Sequence, residues 1–351
     1  MKLALPNFML LPSSLSTPAR EPIAAGATTP RGGHPAGAAG WQVPAAVAES
    51  LAPRGLHLGV PDGPPWVSCA ELATPAGVAG SLARVRRANP GASAEVAASY
   101  LANWYTAAVV GPAIALYVLV RRVPDLAPAQ LALSVPDSGW FDRTALYRPV
   151  AAALANDPLA AGITPATPGL GASQGGLRGP TAPAGAPAAV PAPACTGDGF
   201  GAGPDGGIRV VEDAAALRTV LVEEILAHLD PFLRELRAMV RLGRPALWGA
   251  AAAQCARAFL LTERATGDPA AGRDEADAFF ALATPTMLAR PRWQEFVHRG
   301  RTYVGMRRGS CCLAHRLDAE YCTTCPFTGD ADREQRMRAW IDTQGDGGLA
   351  V

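Results

Sequence analysis

Gly309-Ser310-Cys311-Cys312-Leu313-Ala314-His315-Arg316-Leu317-Asp318-Ala319-Glu320-Tyr321-Cys322-Thr323-Thr324-Cys325-Pro326 holds four of the chain's seven cysteines within fifteen residues. The other three, Cys69, Cys195 and Cys255, lie far from it and from each other. Thiols gathered this tightly bind metal or form disulfides. The spacing is Cys-Cys-x9-Cys-x2-Cys. A structural zinc site is normally built from two separated short knuckles. Here the second half fits a knuckle, and the first half is a vicinal pair. Consecutive side chains of an extended chain point apart, so Cys311 and Cys312 need a turn to converge, and Gly309 and Ser310 are placed to help one.

The run Arg307-Arg308-Gly309-Ser310-Cys311-Cys312-Leu313, closed by Cys322-Thr323-Thr324-Cys325-Pro326, resembles the signature of the FhuF-type ferric-siderophore reductase family. That signature is a Cys-Cys after arginine and serine, a gap of about ten residues, and C-x-x-C. Leu247-Trp248-Gly249-Ala250-Ala251 is a second, weaker likeness, to a helix upstream of the cluster in that family. The likeness runs from about residue 70 to 328, and only its last thirty residues are specific. The gap of nine residues is short, Ala250 replaces a polar residue, and His315 stands where an aromatic is expected. The resemblance implies a [2Fe–2S] cluster held by Cys311, Cys312, Cys322 and Cys325, with no catalytic residue beyond the cluster. It implies one-electron reduction of a ferric siderophore in the cytoplasm, fed by an external donor such as a ferredoxin or a flavin reductase. Two readings from other classes remain open: a zinc-stabilised binding module without catalysis, and an iron–sulfur electron carrier or redox sensor. A pair of disulfides remains open for the cysteines themselves.

Arg307, Arg308 and Arg316 flank the cysteines. A thiolate-held cluster is negative and grows more so on reduction, so nearby cations favour the reduced state. Exposed, they would steer an anionic chelate or an acidic donor toward the loop; ordinary solvated arginines are the competing reading. Between the pairs, His315 can hydrogen-bond a sulfur or couple a proton to the electron. Trp248 and Cys255 read as core. No G-x-G-x-x-G opens a helix, the one at 201–206 lying in a low-complexity run, and no Walker loop or H-E-x-x-H is present, so electrons are expected from outside the chain.

A formal net charge of +1, from 31 basic and 30 acidic residues, gives no basic field for nucleic acid. Lys2 is the only lysine. Clustered cysteines suit a reducing compartment. The N-terminus has a faint signal-peptide look, but Pro6 and Asn7 interrupt its apolar core. No uninterrupted apolar run reaches the ~20 residues that cross a bilayer. Thr106–Val120 comes nearest, contains Gly111-Pro112, and reads as buried helix. Peripheral membrane association is left open.

The 33 prolines and 37 glycines are unevenly spread and mark the organisation. Residues 1–50 read as a disordered extension and 161–207 as a Pro/Gly/Ala-rich linker or insertion. Residues 51–160 read as a helical part with a small hairpin, 208–300 as a helical domain, 301–330 as the cluster module, and 331–351 as a tail helix. The fold class is mostly α, or α+β with a few short strands: a helical body ending in the cysteine loop. Thr74-Pro75 should cap a helix to about Arg87. A long helix after Ser93 should break or kink at Gly111-Pro112, with a second apolar helix to about Arg122. Leu131–Val135 and Thr144–Tyr147 should pair as the hairpin. Asp213 should start a helix, Asp230-Pro231 a second that Gly243 ends, and Pro245 a third bearing Leu247, Trp248, Ala251, Cys255, Phe259 and Leu261 on one side. A further helix should cover 274–283. Arg301–Arg307 should be a strand delivering the cysteines, and 330–343 a polar helix docked by Met337, Trp340 and Ile341.

Overall fold

The computed structural model describes residues 56–59, 61, 66–136, 140–148, 150–160, 207–318 and 321–344. The expected N-terminal extension, almost all of the linker, and Cys195 lie outside these residues. Among them the fold is mostly helical, with three small sheets.

The N-terminal part opens with strands β1 (Leu56–Leu58) and β2 (Trp66–Ser68) and the short helix α1 (Cys69–Leu72). Helix α2 (Pro75–Ala88) begins as expected, Thr74 Oγ1 accepting from the Gly77 amide at 3.0 Å. Such a cap is worth about 1 kcal/mol. Ser93 caps α3 (Ala94–Val120), which corrects the expected break: it runs unbroken through Pro112. Proline removes the amide that would bond the carbonyl four residues back. That carbonyl, of Ala108, instead accepts from Thr144 Oγ1 at 2.7 Å. The helix stops at Arg121, which adopts a left-handed conformation. By length and composition alone α3 is apolar enough to cross a membrane, but most of it is buried within the fold, in keeping with the reading of 106–120 as buried helix.

Strands β3 (Arg122–Pro124), β4 (Leu131–Ser134), β5 (Thr144–Leu146), β6 (Val150–Leu154) and β7 (Gly207–Val211) follow. The expected hairpin is the antiparallel pair β4–β5, Leu131 opposite Leu146. It is the middle of a four-stranded sheet ordered β1-β5-β4-β2. A second sheet, β3-β6-β7, has β7 parallel to β6.

Asp213 caps α4 (Ala214–Met239), accepting from the Ala216 amide at 2.8 Å. This is one helix, not two: Pro231 lies inside it, and it ends at an extended Val240 rather than at Gly243. Gly243 instead caps α5 (Arg244–Thr266), which has Pro245 in its first turn. Residues 249–253 of α5 are all Gly or Ala, and they let α5 pack closely on α3. Trp248, Cys255 and Phe259 are in the core as expected, while Leu261 is exposed. After a π turn comes α6 (Glu275–Ala283).

Strands β8 (Arg292–His298) and β9 (Arg301–Arg307) form an antiparallel hairpin. Its turn is Arg299-Gly300, both at positive φ, as a tight hairpin turn requires. Helices α7 (His315–Asp318) and α8 (Asp330–Gln344) complete the chain. Met337 and Ile341 of α8 bury against Phe296 and Tyr303 of the hairpin, with Trp340 at the edge.

Candidate metal centre

The cysteine loop is seated by close backbone approach. Gly309 lies flat on the chain at Ala289: a Cβ there would stand 2.1 Å from the Ala289 carbonyl oxygen. Ser310 fits over Gly249 of α5, where a Cβ would stand 2.4 Å from Ser310 Oγ. The small residue of Leu247-Trp248-Gly249 is therefore the seat of the loop, which accounts for both sequence likenesses at once. The chain bends at Gly309-Ser310, as expected, and turns again at Leu313, which has φ +62°. Its amide points back at Cys311 Sγ, 3.3 Å away.

The thiols meet as two pairs. Cys312 Sγ is 3.8 Å from Cys322 Sγ. Cys311 interacts with Cys325. Among the described residues no three His, Cys, Asp or Glu side chains close around a single ion. Metal–sulfur bonds of ~2.3 Å in a tetrahedron put neighbouring sulfurs roughly 3.8 Å apart, so Cys312 and Cys322 already stand at the spacing of two ligands on one metal. A two-metal cluster needs two such pairs, and a single tetrahedral metal uses the same spacing. The described cysteines are all free thiols. Cys325 is buried and the other three are half-buried, so the loop is more sunken than its glycines and prolines suggest. Cys69 and Cys255 are fully buried in the helical body, where burial pushes both thiols up, Cys69 to about 12.

The electrostatics are asymmetric. Burial pushes Cys311 up to about 11. Cys312 is pulled down, first by its hydrogen bond with Cys322 and then by the Arg308 guanidinium, against its burial. Cys322 is pushed up by the same bond and by burial. Arg308 favours the thiolate at both Cys312 and Cys322.

The three flanking arginines separate, and the expectation that all serve the surface is corrected for one of them. Arg308 is 6% exposed and reaches inward, Nη2 donating to Asn103 Oδ1 at 2.7 Å. The backbone alternates at the end of β9, so Arg307 turns the other way, half-exposed, and donates to the Pro326 carbonyl at 2.8 Å. Arg316 is exposed. His315 Nδ1 lies 3.7 Å from Cys311 Sγ, its ring 4.9 Å from that of Tyr321, which meets Phe327 at 5.9 Å. Tyr321 and Phe327 are exposed and rim the loop.

Three residues of the site carry no local signal in the sequence. Asn103 of α3 accepts from Arg308, and Gln254 of α5 donates to the same Asn103 oxygen. Arg333 of α8, fully buried, donates through Nη2 to the Cys325 and Thr328 carbonyls at 2.9 and 2.6 Å, and through Nη1 to Asp330 and Gln294. Asn103 and Gln254 act from elements distant in sequence, so spacing alone could not mark them, and nothing in the polar run of α8 singles out Arg333.

Fold and site together define a helical protein closed by a loop of four paired thiols. Residues 308–327, from the buried arginine through all four cysteines, match the FhuF 2Fe-2S C-terminal domain, so this segment is of FhuF type. No curated protein matches the chain.

Proposed function

We propose that the chain is a ferric-siderophore reductase of the cytoplasm, with Cys311, Cys312, Cys322 and Cys325 holding a [2Fe–2S] cluster. The pairing of thiols across the two half-motifs, inside a segment of FhuF type, carries the reading. When bound, such a cluster supplies a carrier for one electron. The chain's own residues fix the sulfurs, turn the Leu313 amide toward Cys311, and shelter Cys325. The exposed rings of Tyr321 and Phe327 and the exposed Arg316 offer one face to an incoming chelate or donor. In the net reaction an external donor, a ferredoxin or a reduced flavin carrier, loses one electron and the chelated Fe(III) gains it. No bond to the protein forms or breaks. Ferrous iron is held less strongly by hard oxygen chelators, so reduction releases it.

The test begins with protein isolated without oxygen. Iron and acid-labile sulfide in equal amounts, with an EPR signal on reduction, are expected. Adding a soluble ferric chelate to the reduced protein should then yield one trapped Fe(II) per protein oxidised. Zinc in place of iron and sulfide would make the loop a structural knuckle. A cluster that ferric chelates leave reduced would make the protein an electron carrier, and either result refutes the reductase.

A further inference from the structure

Arg308 is a buried cation whose side chain no carboxylate pairs among the described residues. Its Nη2 donates to Asn103 Oδ1, and its Nε is buried with no hydrogen-bond partner. Asn103 Oδ1 also accepts from Gln254 Nε2 at 2.9 Å, while Asn103 Nδ2 donates to the Ser99 carbonyl at 2.7 Å. Those partners fix the amide's orientation: its oxygen faces two donors and its nitrogen faces a carbonyl. Asn103, Gln254 and Arg308 are each nearly fully buried. The Arg308 amide donates to the Thr324 carbonyl at 2.9 Å, which ties the arginine to the C-x-x-C turn itself. An isolated buried charge is strongly unfavourable unless an opposite charge faces it. Here the opposite charge is that of the cysteine cage, whose C-x-x-C turn the arginine's own backbone amide holds at Thr324. A neutral amide in place of a carboxylate anchors the arginine without cancelling its charge.

We propose that Asn103 and Gln254, at the seam of α3 and α5, are positioning residues that hold Arg308 as the fixed counter-charge of the thiol cage, and that this relay sets the reduction potential of the group the cage binds. The inference rests on reading the four cysteines as cluster ligands. A buried guanidinium stabilises the more negative, reduced state and so raises the potential. An exposed arginine on the same loop, such as Arg316, is screened by water and does so far less. The asparagine matters because aspartate at the same position would pair with Arg308 and neutralise it.

The experiment is a redox titration of the cluster-loaded protein, followed by EPR, for the wild type and for Arg308→Gln, Arg308→Lys, Asn103→Asp and Arg316→Gln. Arg308→Gln and Asn103→Asp should each cut the reduced-to-oxidised ratio at a fixed ambient potential by about tenfold, a fall of about 59 mV for one electron. Arg308→Lys, which keeps the charge, should stay near the wild type, and so should Arg316→Gln. If Arg308→Gln assembles no cluster, Asn103→Asp still decides, because it keeps the arginine and nearly the shape of the amide. Wild-type potentials in both Arg308→Gln and Asn103→Asp would overturn the relay, as would an equal fall in Arg316→Gln. A wild-type protein without iron and sulfide would instead refute the cluster reading, so the two failures are distinguishable.

Discussion

Replacing Glu224 by glutamine should give a stability difference that is absent near pH 4.5 and grows to about 3 kcal/mol by pH 8. Glu224 and His228, one turn apart on α4, grip the backbone N–H and C=O of one residue: Glu224 Oε2 accepts from the Leu126 amide at 2.9 Å, and His228 Nδ1 donates to the Leu126 carbonyl at 2.5 Å. A carbonyl only accepts, so the proton is on Nδ1, and Nε2 accepts from Tyr105 Oη at 2.8 Å. Burial pushes Glu224 up to about 7; the Leu126 amide and Arg209 oppose that, while Asp125 and Glu223 add to it. Burial likewise pushes His228 down to about 4. The signs are opposite. A carboxyl raised in the fold contributes stability that is complete below its unfolded value of about 4.3 and is lost as pH rises through about 7. A histidine depressed in the fold contributes stability present above about 6.5 and lost as pH falls through about 4. Each tenfold displacement is worth about 1.4 kcal/mol, so each group contributes about 3 kcal/mol and the two slopes nearly cancel between about pH 4.5 and 6.5. Glutamine keeps an acceptor for the Leu126 amide and removes only the carboxyl's slope. Urea unfolding of wild type and Glu224→Gln from pH 4.5 to 8, in reductant and without oxygen, measures the difference directly, because every other titrating group is common to both. A difference that does not change with pH would refute the reasoning.

Single Cys→Ser changes at 311, 312, 322 and 325 should each lower iron and sulfide content severely, whereas Cys69→Ser and Cys255→Ser should lower stability and leave the cluster spectrum of the folded fraction intact; full cluster content in Cys312→Ser would contradict the site. Thr144→Val should cost about 1–3 kcal/mol in thermal or urea unfolding, because it strips the buried Ala108 carbonyl of its partner; a cost near zero would mean that α3 tolerates Pro112 for another reason. Arg316→Gln should leave the visible spectrum unchanged and slow reduction of an anionic ferric chelate, with a wild-type rate that falls as salt is added over ~8–10 Å of screening; equal rates at every salt concentration would make Arg316 a plain solvated side chain.

Local signals made much of this protein legible before any coordinates. The caps at Thr74, Ser93 and Asp213 start helices where side-chain oxygens dictate, and the stripe of Met337 and Ile341 docks α8 as its spacing implies. The misreadings share a cause: their outcome depends on a partner far along the chain. Pro112 ends a helix in isolation, but a threonine 32 residues later replaces the missing donor. The run Val150–Leu154 carries no alternation because both its faces are buried, so it reads as neither strand nor helix until β3 and β7 flank it. Arg307 and Arg308 are neighbours of the same type, and only the alternation of a strand end sends one to solvent and the other into the seam of α3 and α5.

That arginine is nearly the chain's sole cation says little by itself, since composition alone could produce it. The geometry says more. Around the second half of the motif, guanidinium groups take the backbone carbonyls: Arg307 takes that of Pro326, Arg336 that of Tyr321, and Arg333 those of Cys325 and Thr328 together. Arg308 takes the Thr324 carbonyl through its backbone amide. From the other half of the motif, the Leu313 amide donates to the Cys311 sulfur. A single nitrogen of Arg333 spans two carbonyls while its other nitrogen holds Asp330 and Gln294, a fixed fork that the single ammonium of a lysine cannot supply at full burial. The loop is thus lashed from outside by arginines of the strand before it and the helix after it. The thiols inherit their placement from both, so the cysteine segment depends on α8 and on the α3–α5 seam as much as on its own spacing.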